Sequence, residues 1–167
     1  MRPMTVDDVG PLVEFFAVPD VATWWPGENE PRLRARLEDA DEGVGLVIEV
    51  DGRLIGFVQY FEEDDPDYRH ASIDIVLHPD WCNRGLGTDS LRTLARHLFE
   101  DLGHHRLTID PTVSNARAIA SYRKVGFRDV GVMRRYERAN DGTWRDSLLM
   151  DLLAEELEPS PPSSPAR

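Results

Sequence analysis

The chain has 167 residues, 41% hydrophobic and 30% charged, a composition that fits one folded globular domain and excludes disordered, fibrous and membrane-spanning classes. Nineteen basic residues against 31 acidic ones give a net charge of -12, which disfavours binding to nucleic-acid phosphates and attracts cations. Cys82 is the single cysteine, so no internal disulfide forms, and with no apolar run after Met1 to Thr5 a cytoplasmic location off the membrane is expected.

In chain order, Thr5 is placed to cap a helix in which Val9, Leu12, Val13 and Phe16 recur at helical spacing, with Pro19 ending it. An aromatic loop, Trp24-Trp25-Pro26-Gly27, follows, and Pro31 opens a second helix carrying Leu33, Leu37 and Ala40. Both helices are expected before any strand. Val44 to Val50 and Leu54 to Phe61 are β-rich runs joined at Asp51-Gly52, a hairpin dipeptide, and Ala71 to Leu77 adds a third antiparallel strand after an acidic loop. Beyond Pro79, Gly85-Leu86-Gly87 leads into a helix with Leu86, Leu91, Leu94, Leu98 and Leu102 near one face, stopped by Gly103. A strand from Arg106 to Asp110 succeeds it. Ser114 then caps a helix through Ile119 and Tyr122, closed by Gly126, and strands follow near Phe127 to Met133 and Trp144 to Leu152. Residues 1–157 therefore read as one domain, and 158–167, with four prolines and three serines, as a disordered tail. The order is mixed α/β (α+β): a mostly antiparallel central sheet flanked by helices, with one parallel pair where the helix from Leu86 crosses over.

Arg84-Gly85-Leu86-Gly87-Thr88 enters that crossover helix, so backbone N-H groups unobstructed by side chains point at the opening and the helix dipole favours an anion there. No Gly-Lys-Ser/Thr follows, which excludes a P-loop, and Ser90 holds the third glycine position of a dinucleotide fingerprint. By themselves two glycines also suit an ordinary helix-entry turn. His78, His97, His104 and His105 show no paired ligand spacing on a helix face, so no metal is expected; His78, after the central strand, is a secondary candidate for proton handling.

The order of elements, with Cys82-Asn83-Arg84-Gly85-Leu86-Gly87, resembles the GCN5-related N-acetyltransferase superfamily, whose pyrophosphate loop reads Gln/Arg-x-x-Gly-x-Gly/Ala. Cys82 departs from that pattern at its first position; the glycines match. The resemblance covers nearly the whole chain before the tail. It implies acetyl-CoA as co-substrate without a metal, a parallel strand pair splayed at the acetyl-CoA site, and cofactor contacts from Val76, Leu77, Arg84 to Thr88, and Asn115. It also implies that Tyr122, seven residues after Asn115, is the general acid for the departing sulfur. Amine attack on a thioester requires a neutral amine, a polarised carbonyl and a protonated leaving group, and a backbone N-H between Ile73 and Leu77 is expected to polarise the carbonyl. A tyrosine one turn before Gly126-Phe127 equally suits a packed aromatic.

A narrower resemblance, to aminoglycoside 6'-N-acetyltransferases, rests on Trp24-Trp25-Pro26-Gly27-Glu28, Ser72-Ile73-Asp74 and Asp110-Pro111-x-x-Ser114-Asn115. It implies acetylation of a primary amine of a small polycation in a ternary complex, with antibiotic resistance as a consequence. Asp74 sits inside an otherwise apolar strand, and Asp110 ends the next strand at the carboxyl edge where α/β folds place ligands. Two roles stand for each: base or cation binder on one side, an arginine salt bridge for Asp74 and a helix cap for Asp110 on the other. Trp24 and Trp25 suit a substrate wall or a core plug, and Glu62 to Asp67 a solvated loop or the rim of an entrance. The rival classes are a siderophore-type lysine N-acyltransferase, which usually carries histidine where Asp74 stands, a protein N-terminal acetyltransferase, and a non-catalytic acyl-CoA-binding module. The expected assembly is a monomer or homodimer.

Overall fold

The computed structural model describes residues 1–39, 43–139 and 141–157. The expected tail, and Ala40 of the second helix, lie outside them. Asp51 and Gly52 both take positive φ, 51° and 74°, the pair of left-handed residues that a two-residue turn between twisted strands requires. They fold β2 (Val44–Val50) onto β3 (Arg53–Glu63), which pairs antiparallel with β4 (His70–Leu77). Arg2–Pro3 forms a short β1 against β2, so a strand does precede the helices. Arg2 holds that edge by reaching Asp8 at 2.7 Å and Glu49 at 2.8 Å.

After β4 the crossover α4 (Leu86–Arg96) brings β5 (Arg106–Ile109) parallel to it; α5 (Ala116–Val125) and a long hairpin of β6 (Arg128–Arg138) and β7 (Trp144–Leu153) follow. The seven strands order as β1-β2-β3-β4-β5-β7-β6. Leu91, Leu94 and Ala95 of α4, with Leu98 just beyond its end, repeat at helical spacing and are all buried against Ile55, Ala71, Ile73 and Leu107. Each such leucine contributes about 1.5 to 3 kcal/mol by leaving water. Where one helix to Leu102 is expected, α4 passes into a π-helical turn at His97–Asp101 before Gly103 ends it at φ 70°.

The opposite sheet face is covered over β2 and β3 by α1 (Val9–Phe16), α2 (Pro19–Trp24) and α3 (Glu30–Glu38), around Val47 and Phe57. Pro19 starts α2 rather than merely ending α1, because a first-turn proline gives up an N-H that has no helical partner anyway. Leu33 of α3 is buried as expected, whereas Leu37 is 38% exposed. Trp25 packs on Phe16 and Phe57 with ring centroids 5.7 and 5.8 Å away. That plug closes the helical layer next to the centre of the sheet.

Candidate active site

The parallel pairing of β4 and β5 spans only Ala71 with Leu107 and Ser72 with Thr108. Beyond it β5 stops at Ile109, and Pro111 has no N-H with which to continue a ladder, while β4 runs on to Leu77 beside β3. The expected splay is therefore present. Because His78 N-H donates to the Ile55 carbonyl, strand alternation turns the Ile75 and Leu77 amides toward the gap and the Val76 amide toward β3. Gly56 lies so near β4 that a Cβ there would stand 2.6 Å from the Val76 carbonyl oxygen.

Two cavities open on this gap, of about 420 and 370 Å³, and Trp24, Ile75, Val76, Asn115 and Tyr122 line both. The larger runs to the start of α4. There Gly85 is the N-cap at φ 80°, Asn83 has φ 61°, and the N-H groups of the first turn are free of helical partners. A Cβ on Gly87 would come within 3.2 Å of Leu77 Cδ1, so the strand and the helix start approach as closely as they do because that position is glycine. Thr88 Oγ1 lies 3.1 Å from Ser121 Oγ, tying α4 to α5, and Arg117 and Lys124 add positive charge to the wall. Backbone donors at one end and an anion-binding helix start at the other fit an extended ligand carrying a diphosphate. Arg84 stacks over Trp81 at 4.9 Å and Leu86 packs into the core; neither lines the cavity.

The smaller cavity holds the carboxylates. Asp74 Oδ2 accepts from Gln59 Nε2 at 2.9 Å, its cross-strand neighbour on β3, and among the described residues no arginine reaches it in a salt bridge. Burial holds its carboxyl pKa above the ordinary value. Asp110 is pushed up to about 6 by burial and by the nearby Asp74 charge, against a lowering hydrogen bond from the Tyr136 hydroxyl. It caps no helix: Asn115, not Ser114, is the N-cap of α5, its Oδ1 accepting from Ala118 N-H at 3.2 Å. Tyr122 is buried, and burial together with Asp74 and Asp110 raises its pKa, keeping its hydroxyl protonated. A phenol held protonated in this way can donate a hydrogen bond, and its proton, to an anion that forms beside it.

Glu28 accepts both guanidinium N-H groups of Arg36, at 2.6 and 2.8 Å, as a buried bidentate pair in the cavity wall. Trp24 and Trp25 line the cavity as well, so Trp25 both plugs the core and presents an aromatic surface. The acidic loop is apart from it: Glu63 and Asp65 accept backbone N-H groups of the loop itself, and Glu62 lies 3.3 Å from buried His104. His78 accepts the Asp80 N-H through Nδ1 as a turn cap and lines neither cavity.

Gln59, Tyr136, Glu137, Arg117 and Lys124 were not singled out by sequence reasoning. Gln59 carries the same signal as Asp74, a polar residue in an apolar run. Tyr136 lies within, and Glu137 just after, a register shift in β6 between Met133 and Glu137, where Arg135 takes φ 53°. Three residues there stand opposite the single Asp146 of β7, and the two extra ones re-aim the strand, which no alternation pattern reveals.

Asp110 also sets a stability expectation. Its carboxyl is raised from 3.8 to about 6 in the folded chain, so the native state holds the proton more tightly and stability is lost as pH rises through that interval. Asp110→Asn should therefore melt about 2 to 4 °C higher than the native chain above the folded value, since screening leaves about 1 kcal/mol at a partly exposed carboxylate. The difference should close as pH falls toward 3.8. Thermal denaturation across that range measures it, and a pH-independent difference would contradict the assignment of the shift.

Residues 1–128 match the family model described as an acetyltransferase (GNAT) domain. The chain is 31% identical over 152 residues, 80% of it and 75% of the relative, to aminoglycoside N(6')-acetyltransferase type 1 of Klebsiella pneumoniae. It is 29% identical over 105 residues to spermidine N(1)-acetyltransferase of Escherichia coli (strain K12), covering 63% of this chain and 55% of that one. The crystal structure of aminoglycoside acetyltransferase AAC(6')-Ib with coenzyme A and kanamycin superposes with a TM-score of 0.76 at 25% identity, over 93% of this chain and 94% of that one.

Proposed function

Since this chain belongs to the acetyltransferase (GNAT) family, we propose that it moves the acetyl group of acetyl-CoA directly onto a primary amine of a small polycation, an aminoglycoside, within a ternary complex. The wall of Ile75, Val76, Asn115 and Tyr122 that the two cavities share at the β4–β5 gap carries this reading, because donor and acceptor must meet where backbone amides, a carboxylate and a phenol converge. Residues 1–157 act as one domain. The amides of Gly85 to Thr88 take the pyrophosphate and Arg117 and Lys124 add charge; the amides of Ile75 and Leu77 hold the pantetheine arm and polarise the thioester carbonyl.

On the acceptor side Asp110 binds and orients the cation, and Asp74, through a water molecule, removes the ammonium proton. The freed amine nitrogen bonds to the carbonyl carbon and gives up its second proton to solvent, the carbon–sulfur bond breaks, and Tyr122 protonates the thiolate, with its own proton restored from solvent. Trp24 and Trp25 offer a flat wall to a sugar ring or a cation. Kinship with a spermidine acetyltransferase supports a second reading in which the acceptor is a linear polyamine.

Thiol release from acetyl-CoA, followed across kanamycin, spermidine, a hydroxylysine compound and an N-terminal peptide, tests both. Kanamycin is expected to give the highest kcat/KM; preference for spermidine would move the assignment to the second reading, and no thiol release with any amine would refute acetyl transfer. In Tyr122→Phe, loss of the hydroxyl should lower turnover roughly tenfold to a thousandfold with acetyl-CoA affinity unchanged. Near-normal turnover with chemistry rate-limiting would return Tyr122 to a packing role.

A further inference from the structure

The acceptor cavity is richer in unanswered polar groups than a single amine can use. Glu137 lines it beyond the β6 bulge, with one carboxylate oxygen taken by the Thr112 hydroxyl at 2.5 Å and no cation in salt-bridge contact among the described residues. Ser147 lies beside this group, since its backbone bridges Thr112 on one side and faces Met133 of β6 on the other. It is 1% exposed, and its Oγ has no hydrogen-bond partner. Gln59 Oε1, next to Asp74, is likewise buried and unpartnered.

The charges point the same way. Arg36 is engaged by Glu28 in its bidentate pair while its charge also acts on Asp74, and Arg32 lines the cavity from its exposed rim. Glu137 acts through space on both aspartates, so the three negative groups share one field. A ligand with a single ammonium group leaves that field largely uncompensated.

We propose that Glu137 and Ser147 form a second recognition point in the acceptor cavity, one that takes an ammonium group with a hydroxyl on the neighbouring carbon. It rests on the acetyl-transfer reading for the position of the first amine, and it narrows the acceptor class to hydroxylated polyamines, amino sugars among them, over bare ones. The chemistry of Ser147 decides between them. Its hydroxyl both donates and accepts, whereas an ammonium group only donates and leaves the serine proton unanswered. A ligand hydroxyl answers both, and a polar group left unpaired in a buried site is a strong ground for rejection. Glu137, with a free oxygen beside it, takes the adjoining ammonium.

The test compares 1,3-diamino-2-propanol with 1,3-diaminopropane, which differ by one hydroxyl, as ligands of the protein saturated with coenzyme A, using calorimetry. The hydroxylated diamine should bind roughly fivefold more tightly. Ser147→Ala should erase that difference while leaving 1,3-diaminopropane where it was, and Glu137→Gln should weaken both roughly tenfold. Equal binding of the two diamines to the native protein, binding of neither, or a difference that persists in Ser147→Ala would overturn the proposal. Coenzyme A binding by each variant reports its folding, and if Ser147→Ala loses it the comparison on the native protein decides alone. Should the diamines behave as expected while no amine is acetylated, the acetyl-transfer reading fails and the recognition point stands; should kanamycin be acetylated while the diamines bind equally, the reverse holds.

Discussion

Asparagine at position 74 is expected to lower turnover at saturating acceptor by about a hundredfold to ten-thousandfold, the range over which a positioned base acts. The substitution keeps the shape of the side chain, and Gln59 can turn its amide to keep their contact, so the loss reports proton removal rather than a collapsed site. In the native chain burial lifts the Asp74 pKa, and only the ionised form accepts a proton. Activity should therefore fall as pH drops through that raised value, whereas the variant should recover as alkaline pH deprotonates the amine unaided. Asp110→Asn should instead raise the acceptor KM roughly ten- to a hundredfold, one charge-assisted hydrogen bond, with kcat less affected. Steady-state kinetics over pH separates these outcomes. Near-normal kcat in Asp74→Asn at neutral pH would remove its role as the base.

Gly87→Trp is expected to weaken acetyl-CoA binding at least a hundredfold, about 2.7 kcal/mol, in a protein that still folds. The position stands where the start of α4 meets β4: even a methyl there would press on Leu77, and Gly87 lines the cavity of about 420 Å³ into which an indole would intrude. Since Gly87 has ordinary negative φ, the change adds no left-handed strain, unlike a substitution at Gly85. Calorimetric titration with acetyl-CoA, alongside circular dichroism, measures it. Unchanged affinity in a folded variant would remove the cradle assignment.

Elements with a local cause were legible in the residues. The β2–β3 hairpin was announced by Asp51-Gly52 and α4 by its spaced leucines, because turn dihedrals and helical faces are written within a few positions. The cap of α5 was legible only to within a residue, since Ser114 and Asn115 are both good caps and only the folded chain shows which side chain reaches the Ala118 N-H. Alternation placed Asp74 and Val76 on one face of β4, but which strand the Ile75 and Leu77 amides face depends on pairing across the sheet. Arg2–Pro3 gave no strand signal, because a two-residue strand is made by its partner β2 and by the Arg2 ion pairs. Tyr136 and Glu137 reach the site through a three-residue bulge pinned by Arg135 N-H donating to Asp146 Oδ1 at 2.7 Å, a contact across eleven positions.

With only two residue pairs linking β4 to β5, the sheet consists of two half-sheets, β1 to β4 and β5 to β7, held together chiefly by the helices packed behind the seam. A ligand threaded along the seam and bonded to both sides acts as mortar between them. By mass action, any such ligand that binds the folded chain alone adds about 2.7 kcal/mol to its stability at a concentration one hundred times its dissociation constant. Without such a ligand the seam has only its two residue pairs and the helices behind it, so the unliganded chain is the looser one.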